Sequence, residues 1–80
     1  MSEAITASVA AEVRAEMARQ NVPQRELGRV LGLSQGAAWR RLKGEVPFDV
    51  SELAEVAKLL KAPMTQFLPE PADEPVVGVV

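Results

Sequence analysis

The 80-residue chain has no cysteine, no histidine and no tyrosine, and its aromatic residues are one tryptophan and two phenylalanines. Without cysteine it can form neither a disulfide framework nor a thiolate metal site, which suits a reducing cytoplasm. Without histidine it lacks the commonest metal ligand and the usual general base of an enzyme. Because no nucleophile–base pair or metal-ligand set is present either, the sequence predicts a protein that is not an enzyme and binds no metal or cofactor.

Long apolar runs are also absent. No stretch approaches the roughly 20 residues that a membrane helix needs. The N-terminal segment MSEAITASVA carries an acid where a signal peptide has cations. We therefore expect no membrane segment and no export, and a cytoplasmic location.

Positive charge is scarce except in the middle of the chain. Residues 1–19 carry three acids and two bases, and residues 49–80 carry six acids and two bases. Residues 20–48, in contrast, carry five bases and two acids, although the whole chain has a net charge of −2. This distribution favours a protein with one face that meets phosphate and other faces that avoid it.

The chain is long enough for one domain with a small core, and its composition, 48% hydrophobic and 25% charged, is that of a globular protein. Apolar periodicity and the glycine and proline positions predict an all-α protein, a compact five-helix bundle over residues 1–68. In the first helix, Ile5, Val9, Val13 and Met17 recur every four residues. The expected helices run from Ser2 or Thr6 to about Asn21, over Gln24–Leu31, over Gln35–Lys43, from Ser51 to about Leu60, and from Pro63 to Phe67 or Leu68.

Residues 69–80 form an acidic, proline-rich linker that ends in the apolar run VVGVV. This run has the β-branched composition of a strand. It could pair with its copy in a second subunit, fold back on its own domain, fray, or be read by a protease. We expect it to take part in a homodimer.

Two short helices in the middle of the chain, separated by the three-residue turn GLS, predict a helix-turn-helix. Gly32 ends the first of them, and Ser34 can cap the second. Gly28 and Ala38 are small at the point where the two helices must approach closely. The second helix should therefore protrude while the first braces it.

One face of the protruding helix carries residues at positions i, i+1, i+4, i+5 and i+8, namely Gln35, Gly36, Trp39, Arg40 and Lys43. The amide of Gln35 can bond two atoms of adenine, and the guanidinium of Arg40 matches two acceptors of guanine. Gly36 leaves the backbone bare, so that it could lie deep in a groove about 12 Å wide. Gln24 begins the preceding helix and could present its side chain and backbone amides to a phosphate.

The stretch PQRELGRVLGLSQGAAWRRLKGEVPFDVSELAEVAKLLKAPMTQF resembles the helix-turn-helix domain of the lambda-repressor-like (Cro and XRE) family. The shared features are Gln24, the pair Leu27-Gly28 in place of Leu-Ala, the run from Gly32 to Gln35, and Gly44 after the third helix. Arg41, at a position that is often apolar, and Gly36, at one that is often serine or glutamine, depart from the family pattern. The resemblance implies a five-helix bundle that binds operator DNA, usually as a dimer.

The resulting expectation assigns each candidate residue a role in binding double-stranded DNA. Base contacts are expected at Gln35, Gly36, Trp39 and Arg40. Phosphate contacts are expected at Gln24, Arg25, Ser34, Arg41 and Lys43.

Simpler interpretations exist for several of these side chains. Arg40 and Arg41 could form a solvated face that pairs with acids, and Arg25 could be solvated. Trp39 could be part of the core, as a lone tryptophan often is, or a partly exposed ring that touches a thymine methyl or the sugar backbone.

The preferred function is a sequence-specific transcriptional repressor of the phage (immunity) or bacterial type, bound as a homodimer to a palindromic operator. The alternative is an antitoxin-like or other protein-interaction module that uses the acidic C-terminal third and the apolar tail. No small-molecule substrate is expected.

Overall fold

The computed structural model describes residues 3–69 of the chain. Within this range lie four α-helices and no strand: α1 (Glu3–Gln20), α2 (Gln24–Leu31), α3 (Gln35–Leu42) and α4 (Val50–Leu60). A single 3-10 turn, Met64–Phe67, follows α4, and we call it the C-terminal turn. The predicted all-α architecture is confirmed. The strand and dimer predictions for VVGVV fall on residues outside the described range.

The expected fifth α-helix is only the 3-10 C-terminal turn. Pro63 and Pro69 leave five residues between them, and the residue before a proline is disfavoured in the α conformation. Too few residues therefore remain to close consecutive α-helical hydrogen bonds. Phe67 at the end of the turn is completely buried, so even this short segment completes the core.

Local capping residues set most of the helix ends. Asn21, directly after α1, has a left-handed φ of 58°, and Gly32, directly after α2, has a φ of 67°. The side-chain oxygen of Ser34 accepts a hydrogen bond from the Ala37 amide at 3.1 Å and so begins α3, as predicted. Lys43 is the C-cap of α3 rather than its last helical residue.

The start of α4 differs from the prediction, which placed it at Ser51. Asp49 is the N-cap, and its carboxylate accepts a hydrogen bond from the Glu52 amide at 2.7 Å. The Glu52 carboxylate in turn accepts one from the Asp49 amide at 3.1 Å, which completes a capping box. Val50 is therefore the first helical residue.

The core lies where α1, α2 and α4 enclose the inner side of α3. On α1, Val9, Val13 and Met17 are buried as predicted, but Ile5 is 37% exposed and Thr6 is buried in its place. Thr6 consequently lies inside α1 and does not begin it. The buried apolar residues are Val9, Ala10, Val13, Met17, Leu27, Ala38, Leu42, Phe48, Leu53, Val56, Ala57, Leu60 and Phe67.

A carboxylate on α1 connects the helix to the C-terminal turn. Glu16 accepts hydrogen bonds from the Gln20 amide at 2.7 Å and from the Gln66 amide at 2.8 Å. The Gln20 amide also reaches the Leu60 carbonyl oxygen at the end of α4, at 2.7 Å. Donation by Gln20, followed by that of Arg19, lowers the pKa of the Glu16 carboxyl below its ordinary value. The carboxylate thus stays ionised and keeps these acceptors available.

None of the helices between residues 3 and 69 combines the length and the hydropathy that crossing a bilayer requires.

The packing of α2 against α3 depends on Gly28. A Cβ at this position would lie 3.1 Å from the backbone oxygen of Leu33 and 3.9 Å from the Cβ of Ala38. The Leu33 amide donates to the Gly28 carbonyl oxygen at 2.9 Å, so the turn is fixed to the same residue. The predicted close approach is therefore present, and a Cβ would fit only if the Leu33 carbonyl oxygen moved by a few tenths of an ångström.

We expect Gly28→Ala to lower the free energy of unfolding by about 1 kcal/mol. Overpacking costs about 1–3 kcal/mol, and the helix-propensity gain of roughly 1 kcal/mol offsets only part of the middle of that range. Gly36→Ala is the matched control, because a Cβ there meets nothing within 4 Å. The control should leave stability unchanged or raise it. Urea unfolding measures both variants, and equal stabilities would contradict the packing argument.

Candidate nucleic-acid interface

The outer face of α3 is formed by the residues that do not pack inward. Ala38 and Leu42 are buried against the core, whereas Gln35, Gly36, Arg40 and Lys43 are exposed. Trp39 is 41% exposed and is therefore not a core residue. The structure brings these five residues together on one side of the helix, as their spacing predicts, and we call this side the α3 face.

A shallow cleft lies between the start of α2 and the α3 face. It has a volume of about 320 Å³ and is lined by Gln24, Gln35, Gly36 and Trp39. We call it the α3 cleft. It joins Gln24, predicted as a phosphate contact, to three of the four residues predicted as base contacts.

Lys43 is held near the C-terminal end of the α3 face by two interactions. Its ammonium group lies over the Trp39 ring, 5.6 Å from the ring centroid. The same group pairs with the Glu45 carboxylate at 2.9 Å. A phosphate approaching Lys43 would therefore meet a cation whose position is already restricted but whose charge is partly compensated by Glu45.

The remaining predicted cations differ in their surroundings. Arg40 forms no ion pair within residues 3–69, so its charge is free on the α3 face. Arg25 is exposed on α2. Its charge, after that of Arg29, contributes to the lowered pKa of the Glu26 carboxyl, whose largest cause is the hydrogen bond from Arg29. Arg29 is engaged with Glu26 at 2.7 Å.

Ser34 is exposed at the start of α3, where its side-chain oxygen accepts from the helix backbone. This cap fixes the first turn of α3, which carries Gln35 and Gly36. Its predicted contact with phosphate would add to this capping role.

Arg41 lies on the side of α3 that faces α4. Its Nε donates to the Glu52 carboxylate at 3.0 Å, and its Nη1 donates to the Ala37 carbonyl oxygen at 3.1 Å. The Arg41 side chain is only 17% exposed and that of Glu52 only 16%. Arg41 thus lies away from the α3 face. Its role in packing α3 against α4 was not predicted from the sequence, which indicated only a phosphate contact.

Two residues that position α3 were not among the predicted site residues. Arg14 on α1 donates from Nη1 to the Leu42 carbonyl oxygen and so satisfies an acceptor at the end of α3. Glu52 accepts from Arg41 and from the Asp49 amide with the same oxygen, Oε1. The sequence indicates only one of the two Glu52 contacts. Asp49 and Glu52 have the spacing of a capping box, whereas the contact with Arg41 has no such pattern.

Comparisons with known proteins support the helix-turn-helix assignment. The family model described as the BetR domain matches residues 4–79. The crystal structure of the DNA-binding domain of BldD superposes with a TM-score of 0.73 at 21% sequence identity. This superposition covers 86% of the present chain and 100% of the BldD chain, and at this identity the likeness shows a common fold. No curated protein sequence gives a match.

We expect Arg41→Ala to lower the free energy of unfolding by about 1–3 kcal/mol, because it leaves the largely buried Glu52 carboxylate without its charged partner. Arg40→Ala removes the same charge from the neighbouring residue but breaks no ion pair in the described part of the chain. It should change stability by no more than about 0.5 kcal/mol. Thermal unfolding of the two variants compares these effects, and an equal loss in both would show that the Arg41–Glu52 pair adds nothing.

Proposed function

The chain belongs to the BetR domain family, and from the composition of the α3 face we propose that it is a DNA-binding transcription regulator. The observation that carries the proposal is the combination of Gln35, Trp39 and Arg40 on one exposed helical face beside the bare backbone of Gly36. An α-helix with its side chains is about 10–12 Å in diameter, which fits a major groove about 12 Å wide. The likeness to the DNA-binding domain of BldD supports the same reading.

In this proposal the residues at the α3 face contact different parts of the DNA. Gln35 bonds the edge of an adenine, and Arg40 bonds the two acceptors of a guanine. Gly36 allows the helix backbone to approach the bases. Gln24 and Lys43 contact phosphates on either side and fix the register of the helix on the duplex. Arg25 and Ser34 are proposed as further phosphate contacts near the start of α2 and α3.

We further propose that the protein acts as a repressor of the phage or bacterial type, by occupying an operator and blocking polymerase. Two copies would insert their α3 helices into successive major grooves about 34 Å apart, which requires a palindromic site. No catalytic step belongs to this mechanism, and we propose that the protein is not an enzyme.

A second candidate function is a protein-interaction module of the antitoxin kind. One observation favours it: a nearly wholly apolar groove of about 150 Å³ beside α4, where Val50 is 75% exposed and Leu68 is 44% exposed. A partner that co-purifies with the chain and binds a Val50→Asp variant less tightly would support this function. The groove is lined by Val9, Phe48, Asp49, Val50, Leu53, Met64 and Leu68.

We expect Gln35→Ala and Arg40→Ala each to weaken binding to a site selected from random duplex DNA by about 1–3 kcal/mol, and to relax the preference at one base pair. Lys58→Ala is the control, since Lys58 is an exposed cation on α4 and lies outside the α3 face. Equilibrium titration at fixed salt measures all three variants. If both α3 variants bind as tightly as the control, α3 does not read bases.

We expect Lys43→Ala to weaken binding similarly for all sequences and to reduce the slope of log affinity against log salt by about 1. The reason is that a lysine bound to phosphate releases a counterion. Glu45→Gln should instead strengthen binding, because it removes the carboxylate that pairs with Lys43. Titrations between low and moderate salt test both variants. An unchanged slope in Lys43→Ala would remove Lys43 from the interface.

A further inference from the structure

The α3 cleft has one apolar wall on an otherwise polar surface. Trp39 is the apolar side chain among the four residues that line the cleft, and we call its ring the apolar wall. Gly36 adds open space, because a Cβ there would meet nothing within 4 Å. The other two lining residues, Gln24 and Gln35, carry amide side chains, and we call them the rim. An aromatic ring left 41% exposed beside an open space is matched best by a ligand that presents an apolar group there.

The Trp39 ring has a cation beside it on the side away from the start of α3. Lys43, four residues further along the chain, places its ammonium group 5.6 Å from the ring centroid. The same ammonium group pairs with Glu45 at 2.9 Å. Trp39 nevertheless stays 41% exposed, so its ring remains available to a ligand.

We propose that the α3 cleft is a specificity site that receives the C5-methyl group of a thymine, with Trp39 as its specificity-determining residue. This inference rests on the proposed function, because it places the α3 face in the major groove. Among the groups that the four bases present there, the thymine methyl is the apolar one, and all the others are hydrogen-bond donors or acceptors. An apolar wall in contact with base edges thus discriminates by that methyl group.

The rim of the cleft favours thymine over a methylated cytosine. The side-chain amide of Gln35 offers N–H donors and an acceptor oxygen, which match N7 and N6 of adenine, the partner of thymine. A methylated cytosine pairs with guanine, whose N7 and O6 are both acceptors. The cleft and its rim together select a thymine–adenine pair.

The experiment uses the full 80-residue chain and a duplex selected by it from random sequence. Each thymine of the selected site is replaced in turn by uracil, which keeps the pairing with adenine and lacks only the methyl group. We expect one thymine in each half-site at which the replacement weakens binding about fourfold, the factor corresponding to burial of one methyl-sized apolar group. At this position Trp39→Ala should bind the thymine and uracil duplexes equally.

Two matched variants accompany Trp39→Ala. Trp39→Phe keeps an aromatic wall and should retain part of the preference for thymine. Arg40→Ala leaves the lining of the cleft intact and should retain the full ratio between the two duplexes. Because each ratio compares two duplexes on the same variant, a general loss of stability or affinity does not affect it.

The results separate the failure of this inference from that of the proposed function. Sequence-specific binding with no effect of uracil at any thymine overturns the inference alone. An effect of uracil that is as large in Trp39→Ala as in the unchanged chain also overturns it, because the methyl would then be read elsewhere. A chain that selects no duplex overturns the proposed function and the inference together.

Discussion

The arrangement of the candidate interface depends on the contact between Gly28 and the turn that follows α2. With a Cβ only 3.1 Å from the Leu33 carbonyl oxygen, any side chain at position 28 would push the turn and α3 away from α2. The Leu33 amide bonds the Gly28 carbonyl oxygen, so the turn cannot shift without stretching that bond. Ala38, on the inner side of α3, packs into the core next to this contact, so the opposite side of α3 is directed outward. A backbone constraint inside the protein thus determines which residues can meet a ligand.

Charged residues fix the C-terminal end of α3, which lies beyond the close approach of Gly28 and Ala38. Arg14 satisfies the Leu42 carbonyl oxygen from α1, and Arg41 joins α3 to the capping box of α4 through Glu52. These contacts use two arginines of a chain with a net charge of −2. Two neighbouring arginines in the motif consequently have different tasks: Arg41 holds the helix in place, and Arg40 is exposed on its surface and pairs with no acid within residues 3–69.

Much of the fold could be predicted because its signals are local. Asn21, Gly32 and Ser34 act within one turn of their own position, where Asn21 follows α1, Gly32 ends α2 and Ser34 begins α3. The side-chain contacts that the sequence did not reveal are not local. The pairing of Arg41 with Glu52 spans 11 residues, and the bond from Arg14 to Leu42 spans 28. Neither contact leaves a periodic pattern in the sequence. The fifth helix was misjudged for another reason, since its apolar residues are helical in spacing but two prolines limit its length.

The exposure of Trp39 follows from the way α3 packs against the rest of the protein. A tryptophan buried beside Ala38 would add apolar contacts, but position 39 lies one residue, about 100° around the helix, from the buried side. The packing of α2 against α3 fixes that rotation, so the ring must remain at the edge of the α3 face. The Lys43 ammonium group, paired with Glu45, lies beside the ring and leaves Trp39 41% exposed. The protein therefore leaves some apolar surface in water as a consequence of the way α2 and α3 pack, and this surface leaves water only when a ligand covers it.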